Sequence, residues 1–238
     1  VVNQVAIGLG ALGSAVLVQY AWAPTRPVFA CHLAASLVAL AATWLVTETL
    51  PRRGTVSMRV QRLAIPASGR SAFAAACLAA FAAFAFCGLI TALSPGLLRA
   101  ELSTTNVVYA GSAIGVVFFA SGASEPLWAR WRDERCLAVG SLALSGALAT
   151  MLVALRTGSL ALFLVSVAAG GVAVGALFMS SLSIVNRLTD DERRGRVTAT
   201  YFAVTFSGLV LPIVLTGVAA DRLSELAACT LLSVALGL

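Results

Sequence analysis

Long apolar stretches without charged residues alternate along the chain with shorter segments that contain arginine. A helix needs about 20 consecutive apolar residues to cross the hydrocarbon core of a membrane. The pattern predicts seven such spans, and an eighth that begins near residue 226 and is incomplete at residue 238. The predicted spans are residues 2–20, 28–49, 72–94, 106–128, 136–155, 159–186 and 198–219.

The apolar stretches are continuous and rich in alanine, leucine and valine. Strands of a membrane β-barrel would instead show segments of about ten residues in which polar and apolar positions alternate. Because lipid cannot satisfy backbone polar groups, a continuous apolar segment must form a helix there. The predicted fold class is an all-α, polytopic transmembrane helix bundle whose first partner is the lipid bilayer.

Composition excludes a soluble domain, because 60% of the residues are hydrophobic and only 11% are charged. Soluble domains carry about 25% charged residues. The net charge of +6 comes from sixteen basic residues, all arginine. They lie between the apolar stretches rather than on one soluble face, so no nucleic-acid partner is predicted.

The arginines are unevenly divided between alternate connections. Twelve lie in one set of connections, namely Arg52, Arg53, Arg59, Arg62, Arg70, Arg130, Arg132, Arg135, Arg187, Arg193, Arg194 and Arg196. The other set holds four, Arg26, Arg99, Arg156 and Arg222. Since arginine-rich loops stay in the cytoplasm, we predict a multi-pass protein of the cell membrane with residue 1 on the cytoplasmic side.

Small residues spaced four apart occur at Gly111 and Gly115, and again at Gly171 and Gly175. Such pairs let the backbones of membrane helices approach closely. We interpret both pairs as packing sites, with a role in ligand binding as the alternative.

Three segments resemble a known family. The second span ends in Thr47-Glu48-Thr49-Leu50-Pro51-Arg52-Arg53, which resembles the end of the sixth helix of major facilitator superfamily transporters. The third span, from Ser71-Ala72-Phe73 through Phe86-Cys87-Gly88-Leu89 to Ser94-Pro95, is similar to the seventh helix of bacterial drug-efflux members. Asp191-Glu192-Arg193-Arg194-Gly195-Arg196-Val197 resembles the signature before the eleventh helix.

The resemblance implies that the spans are helices five to twelve, with the first four absent and the last truncated. Residues 1–50 would then end an N-terminal half, residues 51–70 would form a basic cytoplasmic loop between halves, and residues 71–238 would form a C-terminal six-helix half. The implied function is secondary active transport of small molecules by alternating access. We expect efflux of lipophilic or amphiphilic compounds, with protons as a candidate coupling ion.

The alternative function is a non-transporting membrane scaffold or interaction subunit, which a protein complete from residue 1 would favour. An enzyme is not predicted, because the sequence has no phosphate-binding loop, paired acids, metal ligands or activated nucleophile. No cofactor and no metal are therefore expected. The single histidine, His32, is interpreted as an interfacial residue, with an outward-facing pH sensor as the alternative.

The assignment of the spans to helices five to twelve of the family indicates which residues are candidates for the site. The substrate-pathway candidates are Thr91, Ser94, Asn106, Tyr109, Ser180, Thr200, Tyr201 and Thr205. Each has a plainer interpretation as a packing group or as a hydroxyl bonded within its own helix. The candidates for a gate or salt bridge are Glu125, Arg130, Asp191, Glu192, Arg193 and Arg194.

Glu125 has two interpretations, because an acid within an apolar run is costly and often functional. It is either an interfacial carboxylate paired with Arg130 and Arg132, or a latch that holds a cytoplasmic gate. The run from Asp190 to Arg196 is either a solvated loop whose acids cap the next helix or, as the resemblance implies, a hinge network of Glu192, Arg193 and Arg194.

Overall fold

The computed structural model describes residues 2–23, 25–47, 63–102, 106–190 and 193–220. In these ranges the chain forms α1 (Val2–Tyr20), α2 (Arg26–Thr43), α3 (Arg70–Leu102), α4 (Val107–Trp128), α5 (Asp133–Thr157), α6 (Leu160–Arg187) and α7 (Arg194–Ala220). Each of the 7 is long and apolar enough to cross a membrane. The predicted all-α transmembrane bundle is confirmed, while the predicted eighth span from residue 226 lies outside the described residues.

Two helix ends differ from the prediction by more than four residues. The second span was predicted to reach residue 49, but α2 ends at Thr43. The N–H groups of Trp44 and Leu45 bond to carbonyls three residues earlier, at 3.2 and 3.0 Å, so a tight turn of 3₁₀ type closes the helix. The third span was predicted to end at residue 94, but α3 continues through Pro95 to Leu102. A proline removes one backbone bond, and membrane helices tolerate that loss where nearby hydroxyls satisfy carbonyls.

Two helices form the centre of the described bundle. α3 packs on α7, α6 and α4, and α6 packs on α5, α4 and α3. Phe86, Leu89 and Ile90 of α3 are fully buried, as are Val167 and Val174 of α6. α1 packs along α4, whereas α2 has no buried residue and touches the bundle mainly through α1.

Glycines allow α4 to pack closely on α6. A Cβ atom at Gly171 would lie 2.5 Å from the carbonyl oxygen of Val117, and one at Gly175 would lie 2.6 Å from the carbonyl oxygen of Ser121. Both glycines therefore sit where two backbones meet, which is the packing role predicted for them.

The opposite face of α4 packs on α1 in the same way. Gly111 lies against the side chain of Ala15 and the backbone of Ala11. A Cβ atom added at Gly115 would lie 3.7 Å from the carbonyl oxygen of Gly8. We call this contact between α1 and α4 the α1–α4 seam. It runs the length of both helices, because α1 is buried at Gln4, Gly8 and Ala15 on the side that faces α4.

The described parts of the three arginine-rich connections lie at one end of the bundle, which we call the arginine-rich end. Arg187 at the end of α6 contacts Asp133 at the start of α5 at 2.8 Å. Ala64, ahead of α3, is bonded to Thr200 near the start of α7. The predicted membrane orientation places the three arginine-rich connections on the same side of the membrane, so it requires them to lie at one end of the bundle.

Replacing Gly175 with alanine should destabilise the fold by about 1–3 kcal/mol, because the new methyl group overlaps the backbone of α4. Gly146 on α5 is the matched control, since an added Cβ there meets nothing within 4 Å. Alanine at position 146 should be neutral or stabilising by about 0.5–1 kcal/mol, the usual effect within a helix. The melting temperature of the detergent-purified protein measures both variants. Equal melting temperatures would contradict the backbone contact.

Candidate functional site

A cavity of about 550 Å³ opens between α1, α4 and α6 at the arginine-rich end. One helical face of α6 supplies most of the wall, because positions three and four apart share a face. The lining residues are Asn3 of α1, Glu125 of α4, and Phe178, Met179, Leu182, Ser183, Asn186 and Arg187 of α6. Its volume lies within the range of about 300–1,000 Å³ that is usual for small-molecule sites.

An aromatic cluster backs the deep end of this cavity. Phe178 contacts Phe84 of α3 with ring centroids 5.5 Å apart. It also contacts Phe202 of α7 at 6.5 Å, and Phe202 stacks on Phe206 at 5.9 Å. Tilted and offset rings at these distances attract one another beyond the burial of their area, so the cluster holds Phe178 in place in the cavity wall.

An ion-pair cluster lies at the mouth. The carboxylate of Asp133 accepts a bond from the Arg187 guanidinium at 2.8 Å and from the Ser183 hydroxyl at 2.9 Å. The Asp133 side chain is 12% exposed, whereas that of Arg187 is 58% exposed. Asp133 also occupies the first turn of α5, where the helix dipole favours an acid. The cluster therefore fastens the start of α5 to the end of α6.

A polar pair closes the α1–α4 seam at the arginine-rich end. Gln4 is fully buried, and its Nε2 donates to the hydroxyl of Ser121 at 3.1 Å. The Oε1 atom of Gln4 is buried without a hydrogen-bond partner. At the opposite end, Gln19 Oε1 accepts from the backbone N–H of Val107 at 3.0 Å. The seam is thus polar at both ends, and between them Gly8, Ala15 and Gly111 allow close approach, with the Phe119 ring against Gly8.

The predicted substrate-pathway residues do not gather at the cavity. Ser94, Ser180 and Thr205 are buried and donate to carbonyls one turn earlier, at 2.6, 2.6 and 2.9 Å, and Thr91 does the same at 2.8 Å. The hydroxyl of Tyr201 lies 2.7 Å from that of Ser181. As substrate contacts these residues stay predictions.

Three other predicted pathway residues lie near the ends of helices. Asn106 caps α4, accepting from the N–H of Val108 at 2.9 Å, and donates to the hydroxyl of Tyr20 at 3.3 Å. Tyr109 is half exposed one turn later. The hydroxyl of Thr200 accepts from the N–H of Ala64 and donates to its carbonyl.

Of the predicted gate residues, Glu125 lies in the cavity wall. Arg130 is exposed in the turn after α4, and Arg193 and Arg194 are exposed at the start of α7. Asp191 and Glu192 lie outside the described residues.

Sequence reasoning missed the cluster of Asp133, Ser183 and Arg187, although Ser183 and Arg187 have the i, i+4 spacing of neighbours on one helix face. It also missed Gln4, whose carboxamide stands out in an apolar first span.

The family model of the Major Facilitator Superfamily matches residues 1–211 of the chain. The chain belongs to the major facilitator superfamily. Membership identifies a multi-pass secondary transporter of small molecules and points away from an enzyme. No curated protein and no solved structure matches the chain.

Removing the positive charge of Arg187 should destabilise this facilitator protein. Arg187→Gln leaves the largely buried Asp133 carboxylate with only the Ser183 hydroxyl, and a charged hydrogen bond is worth about 1.5–3 kcal/mol. Arg132→Gln is the control, because Arg132 and its partner Glu134 are 79% and 64% exposed, and exposed pairs contribute about 0–1 kcal/mol. Thermal unfolding in detergent compares the two variants. A larger loss in Arg132→Gln would rule out a structural role for the Asp133 cluster.

The buried carboxamide of Gln4 should be dispensable for stability, while its partner should not be. Ser121→Ala removes the acceptor and leaves the whole carboxamide unsatisfied, which costs about 1–3 kcal/mol. Gln4→Met keeps the volume and removes the unpaired Oε1 atom, so its melting temperature should equal or exceed that of the unmodified protein. If Gln4→Met proves the less stable of the two variants, Gln4 contributes a bond beyond the one to Ser121.

Proposed function

We propose that this major facilitator protein exports lipophilic or amphiphilic small molecules by alternating access. The observation that carries the proposal is the cavity between α1, α4 and α6. Its wall combines the apolar groups of Phe178, Met179 and Leu182 with five polar or charged residues, a combination that suits a molecule with both an apolar and a polar part.

The hydroxyl bonding inside the bundle supports an apolar substrate. Ser94, Ser180 and Thr205 already donate to carbonyls of their own helices. These hydroxyls lie outside the cavity wall, and a polar substrate that moved past them would have to compete for their bonds, whereas an apolar one would leave them undisturbed. Within the cavity, the apolar part of the wall is Phe178, Met179 and Leu182.

The α1–α4 seam is the contact that would change when two halves move. In the proposed division of the chain, α1 belongs to the N-terminal half and α4 to the C-terminal half. The two helices pack closely there, with the Phe119 ring against Gly8 and with Gly111 against Ala15. Alternating access would require the two bundles to rock about this contact.

Blocking the cavity should abolish transport by the full-length protein. Leu182→Trp places an indole in the wall, whereas Leu142→Trp places one on α5, where the leucine is 74% exposed. In proteoliposomes with an imposed pH gradient, Leu182→Trp should lower the uptake of a neutral amphiphilic fluorophore by at least about tenfold. Leu142→Trp should transport normally.

Two results would contradict the proposal. Equal activity of both tryptophan variants would place the substrate route elsewhere. Absence of transport by folded protein under pH and solute gradients of either direction would favour the membrane scaffold instead.

A further inference from the structure

Two hydrogen bonds join α1 to α4 at the end of the seam that lies opposite the arginine-rich end. Gln19 Oε1 accepts from the backbone N–H of Val107 at 3.0 Å, and Asn106 Nδ2 donates to the hydroxyl of Tyr20 at 3.3 Å. Tyr20 is the last residue of α1 and Val107 is the first residue of α4. These two bonds, which we call the far-end bonds, therefore fasten the end of one helix to the start of the other.

The start of α4 takes one of its hydrogen-bond partners from α1. The first N–H groups of a helix have no acceptor within that helix. Asn106 satisfies two of them, because its side chain accepts from Val108 at 2.9 Å and its carbonyl accepts from Tyr109 at 3.4 Å. The N–H of Val107 is satisfied instead by Gln19 of α1. Separating the two helices at this point releases that N–H to water.

The far-end bonds are exposed, whereas the bond at the other end of the seam is not. Gln4 is fully buried, and its bond to Ser121 is buried with it. Breaking a buried bond leaves polar groups without partners, while the groups of an exposed bond can exchange their partner for water. As far as these bonds decide it, the seam opens more readily at the far end than at the arginine-rich end.

We infer that the far-end bonds form a latch, and that the latch sets the fraction of molecules in which the seam is open at that end. The inference rests on the proposed function, because alternating access needs states that open toward each side of the membrane. In this structure the cavity opens at the arginine-rich end while both far-end bonds are made. Gln19 is the main part of the latch, since its bond is the shorter one and satisfies a backbone group.

Two substitutions of Gln19 test the latch. Gln19→Met keeps the length of the side chain and removes the acceptor, so the open fraction should rise by about two- to tenfold, the usual effect of losing one such bond. Gln19→Glu keeps an acceptor of the same shape and makes it an anion, which the N-terminus of α4 favours. The open fraction in Gln19→Glu should therefore stay equal or fall.

The distance between two spin labels in the full-length protein measures the open fraction. One label is attached to Cys31, which is exposed on α2, and α2 follows α1 because it touches the described bundle mainly through that helix. The other is attached to Thr157→Cys at the end of α5, and all other cysteines are replaced by alanine. Leu9→Met is the control, since Leu9 is 58% exposed on α1 and should leave the distances unchanged. The melting temperature verifies that each variant is folded.

The outcomes separate the latch from the proposed function. A shift toward longer distances in Gln19→Met that Gln19→Glu does not share supports the latch. Unchanged distances in Gln19→Met, or the same shift in both variants, overturn the latch. If the unmodified protein still takes up the neutral amphiphilic fluorophore in that case, the proposed function stands. Folded protein that neither takes up the fluorophore nor shows a second distance overturns both.

Discussion

Contact between backbones at glycine is the constraint on which the described bundle depends. Lipid chains are as apolar as leucine, so helices in a membrane gain little from burying apolar side chains against one another. Attraction must come from close packing, as where Gly171 and Gly175 bring α6 onto α4. α3 and α7 meet in a reciprocal way, with Gly88 against the backbone of Leu209 and Gly208 against that of Phe81. The central helices are positioned by these contacts, and the cavity is the space they leave.

The polar groups of the bundle divide into two kinds. Hydroxyls in the middle of the helices donate to carbonyls of their own helices. Their O–H groups are therefore already bonded. Glu125, Asp133 and Arg187 lie instead at the arginine-rich end. The hydroxyls in the middle of the described bundle are thus already bonded within their own helices, and these charged groups lie at one end of it.

Features that depend on local pattern were predicted from the sequence, and features that depend on distant pairing were not. The seven spans and the packing glycines follow from composition and spacing within one helix. The bond between Ser183 and Asp133 joins residues 50 apart, and that between Gln4 and Ser121 joins residues 117 apart, so neither has a signal within one segment. The end of the third span was also wrong: α3 continues through Pro95 to Leu102, because the loss of one backbone bond does not end a long apolar helix.

The bonds between Thr200 and Ala64 bear on how force travels through the molecule. The covalent chain leads from α2 to α3, but it is fastened to α7 at Ala64, ahead of the first residue of α3. A pull on the chain from the side of α2 would meet this pair of hydrogen bonds to α7 before it reached α3. A covalent connection to one helix thereby becomes a mechanical linkage to another.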